Sequence, residues 1–438
     1  MKKDKTFICK NITSNENGHL CFAGQDTVCL AEKYGTPLYL IDEDRIRENC
    51  RVFTKAFTEY FGSSSYPVYA SKACCIKKIL NVITEEGLGT DLVSPGEIAT
   101  AVAADADLKR AYFHGNDKTD EDIRYAIGCG VGYFVAESEE EAYAIDAAAK
   151  DAGIRQDIIL RLTPGIDPHT YEAMNTGKVD SKFGIPIETG QASEALETIL
   201  RLENIRLRGF HCHVGSSVFA ENVFERTGEI MIDFIAYAQK TFGYTTEILN
   251  LGGGFGVRYV DNDPYLDIAS KIRYIAGSLK ESCKKYSIDM PSIVMEPGRS
   301  IIADAGMTLY TAGSVKEIKG YKKYISVNGG MSDNPRYALY GSKYSCIDAS
   351  KADEPCDEVF DLVGRCCESG DIIQPRVEFP HTIKRGDIIA VCTTGAYNYA
   401  MASNYNRIPR PALVMLKGGD SYTAVRRETL DDLIGLDI

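Results

Sequence analysis

Residues able to do chemistry sit where short apolar runs end. Lys72 closes the stretch from Tyr66 to Ala73 (YPVYASKA). Later runs end in Asp91 and Ser94, in His114, in His213, Gly215 and Ser216, in the triplet Gly252, Gly253, Gly254, and in Glu296, Gly298 and Arg299. A lysine at such a position is ordinarily a solvated surface residue. Its company changes the reading, because an amine, imidazoles, a carboxylate and anion donors gathered at one place are what a lysine-bound cofactor needs.

Three glycines after a strand let backbone N–H groups approach an anion. With a helix N-terminus behind them they read as a phosphate cradle, a tight turn being the plain alternative. Ser216 and Arg299, two further phosphate donors, favour the cradle. GGGFG does not fit GxGxxG and no Walker A sequence occurs, which disfavours a dinucleotide or nucleoside triphosphate. The set suits pyridoxal 5'-phosphate (PLP). That cofactor joins a lysine as a Schiff base, is anchored by its phosphate, and withdraws electrons while its ring nitrogen stays protonated. Glu296 is suited to hold that proton, and His213 offers a flat ring to stack on the pyridine, against the bland alternative of a satisfied core histidine. The HCH triplet at His211 to His213 hints at a metal, since alternate strand residues share a face. No third ligand has suitable spacing, so no metal site is expected.

These residues meet only if the elements bearing them converge. From Tyr66 onward eight strand-length runs alternate with helical patterns: YPVYASK, TDLVS, RAYFHG, YFVAE, IILRLTP, LRGFHCHVG, EILNLGGG and IVMEPG. Ser138 and Glu141 suit a capping box, with Gly153 as a stop. Helix-separated strands pair in parallel, and eight units favour a (β/α)8 TIM barrel over an open doubly wound sheet. All strand C-termini then open on one mouth. Before the barrel strands, a helix is expected from Glu43 to Tyr60, with Ile46, Cys50, Phe53 and Phe57 on one face. After about Asp304 the pattern turns to period-two runs, as in MTLYTAGSV and DIIAVCTTG, which read as an antiparallel β domain completed by the N-terminal strand pieces. The expected domains are 36–304 for the barrel and 1–35 with 305–438 for the β domain.

Composition excludes other classes. The 438 residues carry a diffuse net charge of −13 with no basic run, so no nucleic-acid partner is expected. No apolar run approaches the roughly 18 residues of a membrane span, and MKKDKTFICKN lacks the apolar core of a signal. A soluble cytoplasmic protein is expected. Its 14 cysteines form no CxxC pair and read as reduced, mostly buried apolar residues.

The ordered motifs YASKA, DLVSPGE, FHGNDK, TGKVDSKFGIP, HCHVGSS, NLGGGFG, MEPGR, GMSDNPRYALYG, CCESGD and GAYNYAMASNYN cover most of the chain. Together they resemble the fold type III PLP-dependent decarboxylases, and within them the diaminopimelate decarboxylases. The resemblance implies that Lys72 is the Schiff-base lysine, His213 the ring-stacking residue and Glu296 the partner of the pyridine nitrogen. Ser216, Gly252 to Gly254, Arg299 and Tyr397 would serve the phosphate or lie beside it. Arg299, Arg336 and Tyr340 would hold substrate carboxylate, with Tyr397 nearby, and Glu368 the far ammonium. Cys367 would return a proton after carbon dioxide leaves, and Cys366 beside it would be inert. The resemblance also implies a homodimer in which Cys367 and Glu368 serve the partner's site. The implied reaction converts meso-2,6-diaminopimelate to L-lysine, the last step of lysine biosynthesis. The rivals are an ornithine, lysine or arginine decarboxylase, an amino acid racemase, or a non-catalytic PLP-binding relative. Two departures from the pattern are Tyr171, where a second histidine is usual, and Asp117, where asparagine is usual.

Overall fold

The structure is a computed structural model and describes residues 7–166, 179–220 and 222–438, so Tyr171 lies outside the described residues. Contacts divide the chain into two units. One comprises Met1–Glu48, Val257–Tyr265 and Ile301–Ile438; the other comprises Asn49–Gly256 and Leu266–Ser300.

In the first unit β1 (Ile12–Ser14), β2 (Leu20–Phe22) and β3 (Gln25–Asp26) form a small antiparallel sheet of their own. It is followed by β4 (Leu38–Asp42). In the second unit, β5 (Tyr66–Ala70), β6 (Gly89–Leu92), β7 (Ala111–Phe113), β8 (Tyr133–Ala136) and β9 (Gln156–Thr163) run in parallel. A short β10 (Ile185–Pro186) pairs on β9, and β11 (Ile205–His211), β12 (Ile248–Asn250) and β13 (Ser292–Met295) follow. The pairings of β8 with β9 and of β13 with β5 close these strands, apart from β10, into an eight-stranded parallel barrel. Each of the eight runs read from the sequence is one of its strands.

Local chemistry explains the intervening helices. Ser94 caps Pro95–Val102, accepting the Glu97 N–H at 3.3 Å, with Pro95 at a position whose missing donor costs nothing. Ser138 caps Glu139–Asp151, and Gly153 takes the left-handed conformation that stops it. The capping box is only half made. The Glu141 carboxylate accepts the Glu137 N–H at 2.6 Å and the buried Lys118 ammonium at 2.8 Å in place of the Ser138 N–H. Helix Glu43–Phe61 buries Ile46, Cys50, Phe53 and Phe57 as its periodicity requires. Inside the barrel Val68, Tyr112, Val135, Ile159, Ile248 and Val294 form a buried plug, with Tyr112 and Tyr133 stacked 4.6 Å apart.

The first unit continues with β14 (Gly306–Ile318), β15 (Lys322–Val327), β16 (Cys346–Asp348), β17 (Glu358–Val363), β18 (Ile372–Phe379), β19 (Ile388–Cys392), β20 (Ala412–Lys417) and β21 (Asp420–Val425). Its main sheet is mixed, not purely antiparallel, because β15 runs parallel to β17 and β20 parallel to β4. Alternation marks which face a residue takes but is silent on strand direction. β4, inside the span 36–304 assigned to the barrel, belongs to this sheet, between β14 and β20. Its LYLID is buried at every position, as a central strand demands, so it reads like a barrel strand. Leu20, Phe22, Leu38, Leu40, Leu309 and Val414 share this unit's core. Among the described residues no helix is long and apolar enough to cross a membrane.

One buried carboxyl here has a measurable consequence. Asp348 is 2 % exposed, accepts the Ser350 N–H at 3.1 Å through Oδ1, and has no hydrogen-bond partner for Oδ2 among the described residues. The Lys351 ammonium is 3.9 Å away and committed to Asp387. Burial, reinforced by the Asp387 charge, pushes the Asp348 carboxyl up to about 7. The unfolded chain releases this proton in the ordinary carboxylate range while the fold keeps it, so stability falls as pH rises from about 4 to about 7. Asp348→Asn keeps the Ser350 bond and should be near neutral at pH 4 but stabilising by roughly 2 kcal/mol at pH 8 in urea melts.

Candidate active site

The barrel mouth gathers the strand-end residues expected to hold the cofactor. Lys72 lies in the short turn Ser71–Ala73 directly after β5, and its ammonium is 4.0 Å from Asp91 of β6. Gly298 makes this turn possible, since a Cβ there would meet the Ala70 Cβ at 2.9 Å and its carbonyl at 3.0 Å.

Glu296 follows β13 and is 5 % exposed. Its Oε1 is 2.9 Å from His114 Nε2 and accepts from Asn250 Nδ2 at 2.7 Å, and its Oε2 is 3.3 Å from His211 Nε2. Burial opposes the charge on Glu296, but His114 and His211 outweigh it and hold the carboxyl well below its ordinary range. His114 is the complement: burial opposes its proton, yet Glu296 and Asp91 raise its pKa. His211, driven by burial to about 4, stays neutral. The ligating atoms of His114, His211 and Glu296 lie within 4.8 Å of one another. No such partners for His211 are legible in the sequence; the His211–Glu296 hydrogen bond and the His114–Glu296 ion pair account for their closeness.

His213 lies just beyond β11 and outside that cluster. Its Nδ1 accepts the Gly253 N–H at 3.1 Å, so the neutral ring carries its proton on Nε2. Burial first, then the charges of Lys72 and Arg161, keeps it neutral by holding its pKa well below the ordinary value.

The glycine triplet is demanded by the barrel itself. A Cβ on Gly253 would meet the Glu296 carbonyl at 2.1 Å, and one on Gly254 the Gly215 carbonyl at 2.1 Å. Gly252 donates to Asn250 Oδ1 at 2.9 Å and Gly253 to His213, while the Gly254 N–H has no acceptor among the described residues. The expected helix N-terminus does not follow, as the next helix begins only at Ile268. The anion end therefore reduces to Gly254, Ser216 and Arg299, with Arg299 donating to Ser216 Oγ at 3.1 Å.

The remaining expected residues are in the other unit. Arg336 opens the helix Arg336–Tyr340, is 3 % exposed, and has no carboxylate within ion-pair distance among the described residues. Tyr340 ends that helix, half-buried. Cys367 and Glu368 are exposed, and Asn406 Oδ1 accepts the Cys367 N–H at 2.8 Å. Cys366 is buried and its thiol is pushed up to about 11, first by burial and then by Asp371. That suits an inert neighbour. Tyr397 is half-buried with φ of 60°, a left-handed strain a non-glycine residue rarely bears. Asp117 is exposed.

Residues 43–303 match the family model described as pyridoxal-dependent decarboxylase, pyridoxal binding domain. The chain is 42% identical to the diaminopimelate decarboxylase of Bacillus subtilis over 99% of its own length and 98% of the relative's. It is 41% identical to that of Staphylococcus aureus over 96% and 98%. The chain belongs to the diaminopimelate decarboxylase family. A crystal structure of the M. jannaschii diaminopimelate decarboxylase in co-complex with L-lysine superposes with a TM-score of 0.90 at 31% identity, covering 98% of both chains.

PLP is the cofactor of this family, and the barrel residues fit it. The Glu296 carboxylate has about four acceptor positions, of which His211 and Asn250 take two by hydrogen bonds and the His114 imidazole faces a third as an ion pair. One remains for a pyridine N–H. Gly254, Ser216 and Arg299 offer N–H, O–H and guanidinium donors to a phosphate, and the Lys72 amine is present at the same mouth. What a diaminopimelate decarboxylase sequence alone hides is the buried support behind these groups. Asp91 and His114 were visible as strand ends but without a role, and Asn250, Arg161 and Glu137 gave no signal. Arg161 pairs with Glu137 at 2.6 Å, and Glu137 also accepts the Gly184 N–H at 2.7 Å. No spacing rule links residues on different strands, so only strand order could have found them.

Proposed function

We propose that the protein decarboxylates meso-2,6-diaminopimelate at its D-configured carbon, giving L-lysine and carbon dioxide. The observation that carries this reading is Arg336, a buried guanidinium that no protein carboxylate among the described residues neutralises. Burying a charge without a counter-ion is costly, and an anion arriving with the ligand would offset that cost. Diaminopimelate brings a second carboxylate for Arg336 and Tyr340 and a second ammonium for Glu368; ornithine, lysine and arginine decarboxylated at their only carboxylate do not.

Bound PLP supplies the electron sink for the bond that breaks. Lys72 anchors it, Glu296 holds the proton on its ring nitrogen, and the neutral His213 ring stacks without competing for charge. Arg299, Ser216 and Gly254 bind the phosphate, with Gly252, Gly253 and Tyr397 beside it. Cys367 delivers the proton that replaces the lost carboxylate, and its exposure supports a homodimer in which it serves the partner's site. Fourteen cysteines without a disulfide among them suit the reducing cytoplasm.

A substrate panel tests the reading. Diaminopimelate should exceed ornithine, lysine and arginine in kcat/KM by about 10⁴, the discrimination expected where a buried polar group would be left unpaired. Ornithine turning over faster would overturn it, and no turnover with any amino acid would favour a non-catalytic PLP carrier.

A further inference from the structure

The environment of Arg336 points to residues outside the expected site. Its guanidinium carbon stands 3.8 Å from the centroid of the Tyr259 ring and 5.7 Å from that of Tyr344, and the two rings meet edge to face at 6.3 Å. Arg336 Nη1 is buried and has no hydrogen-bond partner among the described residues. A guanidinium over an aromatic face gains electrostatically without spending any of its N–H donors, whereas a carboxylate partner would occupy them.

Both rings are themselves fixed. Tyr344 is 3 % exposed and donates its hydroxyl to Asn398 Oδ1 at 2.7 Å. Tyr259 is 6 % exposed and comes from Val257–Tyr265, the short segment that belongs to this unit although it lies between β12 and the helix Ile268–Tyr286 in sequence. That segment is held by its own bonds. Asp263 Oδ2 accepts the Tyr259 and Val260 N–H groups at 2.8 and 3.1 Å, and the Tyr259 carbonyl accepts from Ser345 Oγ at 2.8 Å.

We propose that Tyr259, with Tyr344 beside it, is a specificity-determining positioning residue: its ring holds the Arg336 guanidinium in place with donors free for the carboxylate at the far end of the substrate. The inference rests on the proposed role of Arg336 and adds the reason a buried cation persists there without an acidic neighbour. An acidic residue in place of Tyr259 would neutralise Arg336 and compete with the ligand. A ring stabilises the cation and leaves its anion-binding capacity intact.

The test is calorimetric binding of L-lysine and cadaverine to the PLP-loaded protein. L-lysine carries the carboxylate that Arg336 would receive, and cadaverine carries none. In the wild type L-lysine should bind at least tenfold tighter than cadaverine; if the two bind alike, the reading of Arg336 itself fails. Tyr259→Leu should weaken L-lysine on the order of tenfold and leave cadaverine within about twofold, while Tyr259→Phe, which keeps the ring face, should retain most of the affinity. If Tyr259→Leu does not fold, phenylalanine at 259 carrying a fluorinated ring keeps the shape and weakens the face, and L-lysine affinity should fall with each added fluorine. Unchanged L-lysine affinity in the leucine or fluorinated variants, with the wild-type preference intact, would overturn the proposal.

Discussion

Lys72→Ala should lower kcat/KM for diaminopimelate by roughly a thousandfold or more, because it removes the amine proposed to anchor the cofactor. Its ammonium is 4.0 Å from Asp91, and its side chain is 46% exposed. Truncation therefore opens no cavity in the core, and the fold and melting temperature should be nearly unchanged. Borohydride reduction of the loaded wild-type protein should fix the cofactor to Lys72 in a peptide map, and the variant should lose its visible absorbance on desalting. An active Lys72→Ala protein, or a map placing the cofactor on another lysine, would remove the basis of the proposed chemistry.

Two inactive proteins should restore each other. Lys72→Ala and Cys367→Ala, dissociated, mixed in equal amounts and reassociated, should regain about a quarter of wild-type activity, since random pairing makes half the dimers mixed and each mixed dimer has one intact site of two. The expectation follows from Cys367 and Glu368 being exposed in the single chain, an environment in which proton delivery would be short-circuited by water. Activity no greater than the sum of the separate variants would assign Lys72 and Cys367 to the same chain's site.

How much of this could be read from residues alone differs by element. The barrel was legible because each of its eight strands is a short apolar run between helical patterns, and the runs end in the reactive side chains. β18 was not, since Pro375 interrupts it and Arg376 takes a left-handed φ of 55°; the strand tolerates both because it lies at the edge of its sheet, where a missing N–H costs no ladder bond. β4 was assigned to the wrong neighbourhood because a fully buried strand looks the same in any sheet centre. In the site, Lys72, Glu296 and His213 stood out by type, but the glycine triplet was read as a cradle when two of its three N–H groups serve the protein. The support given by His114, His211 and Asn250 to Glu296, and by Tyr259 to Arg336, stayed invisible, because each joins residues whose only relation is through folded space.

The position of β4 has a consequence for how the protein is made. Leu38 pairs with Ala412, 374 residues later, while the barrel needs nothing beyond β13 to close its ring. On a ribosome the barrel can thus complete itself while β4 waits, first for β14 just after the barrel and only much later for β20. Truncation before β20 should spare the barrel but leave β4, still paired with β14 on one side, with a bare edge on the other to which a second copy could stick.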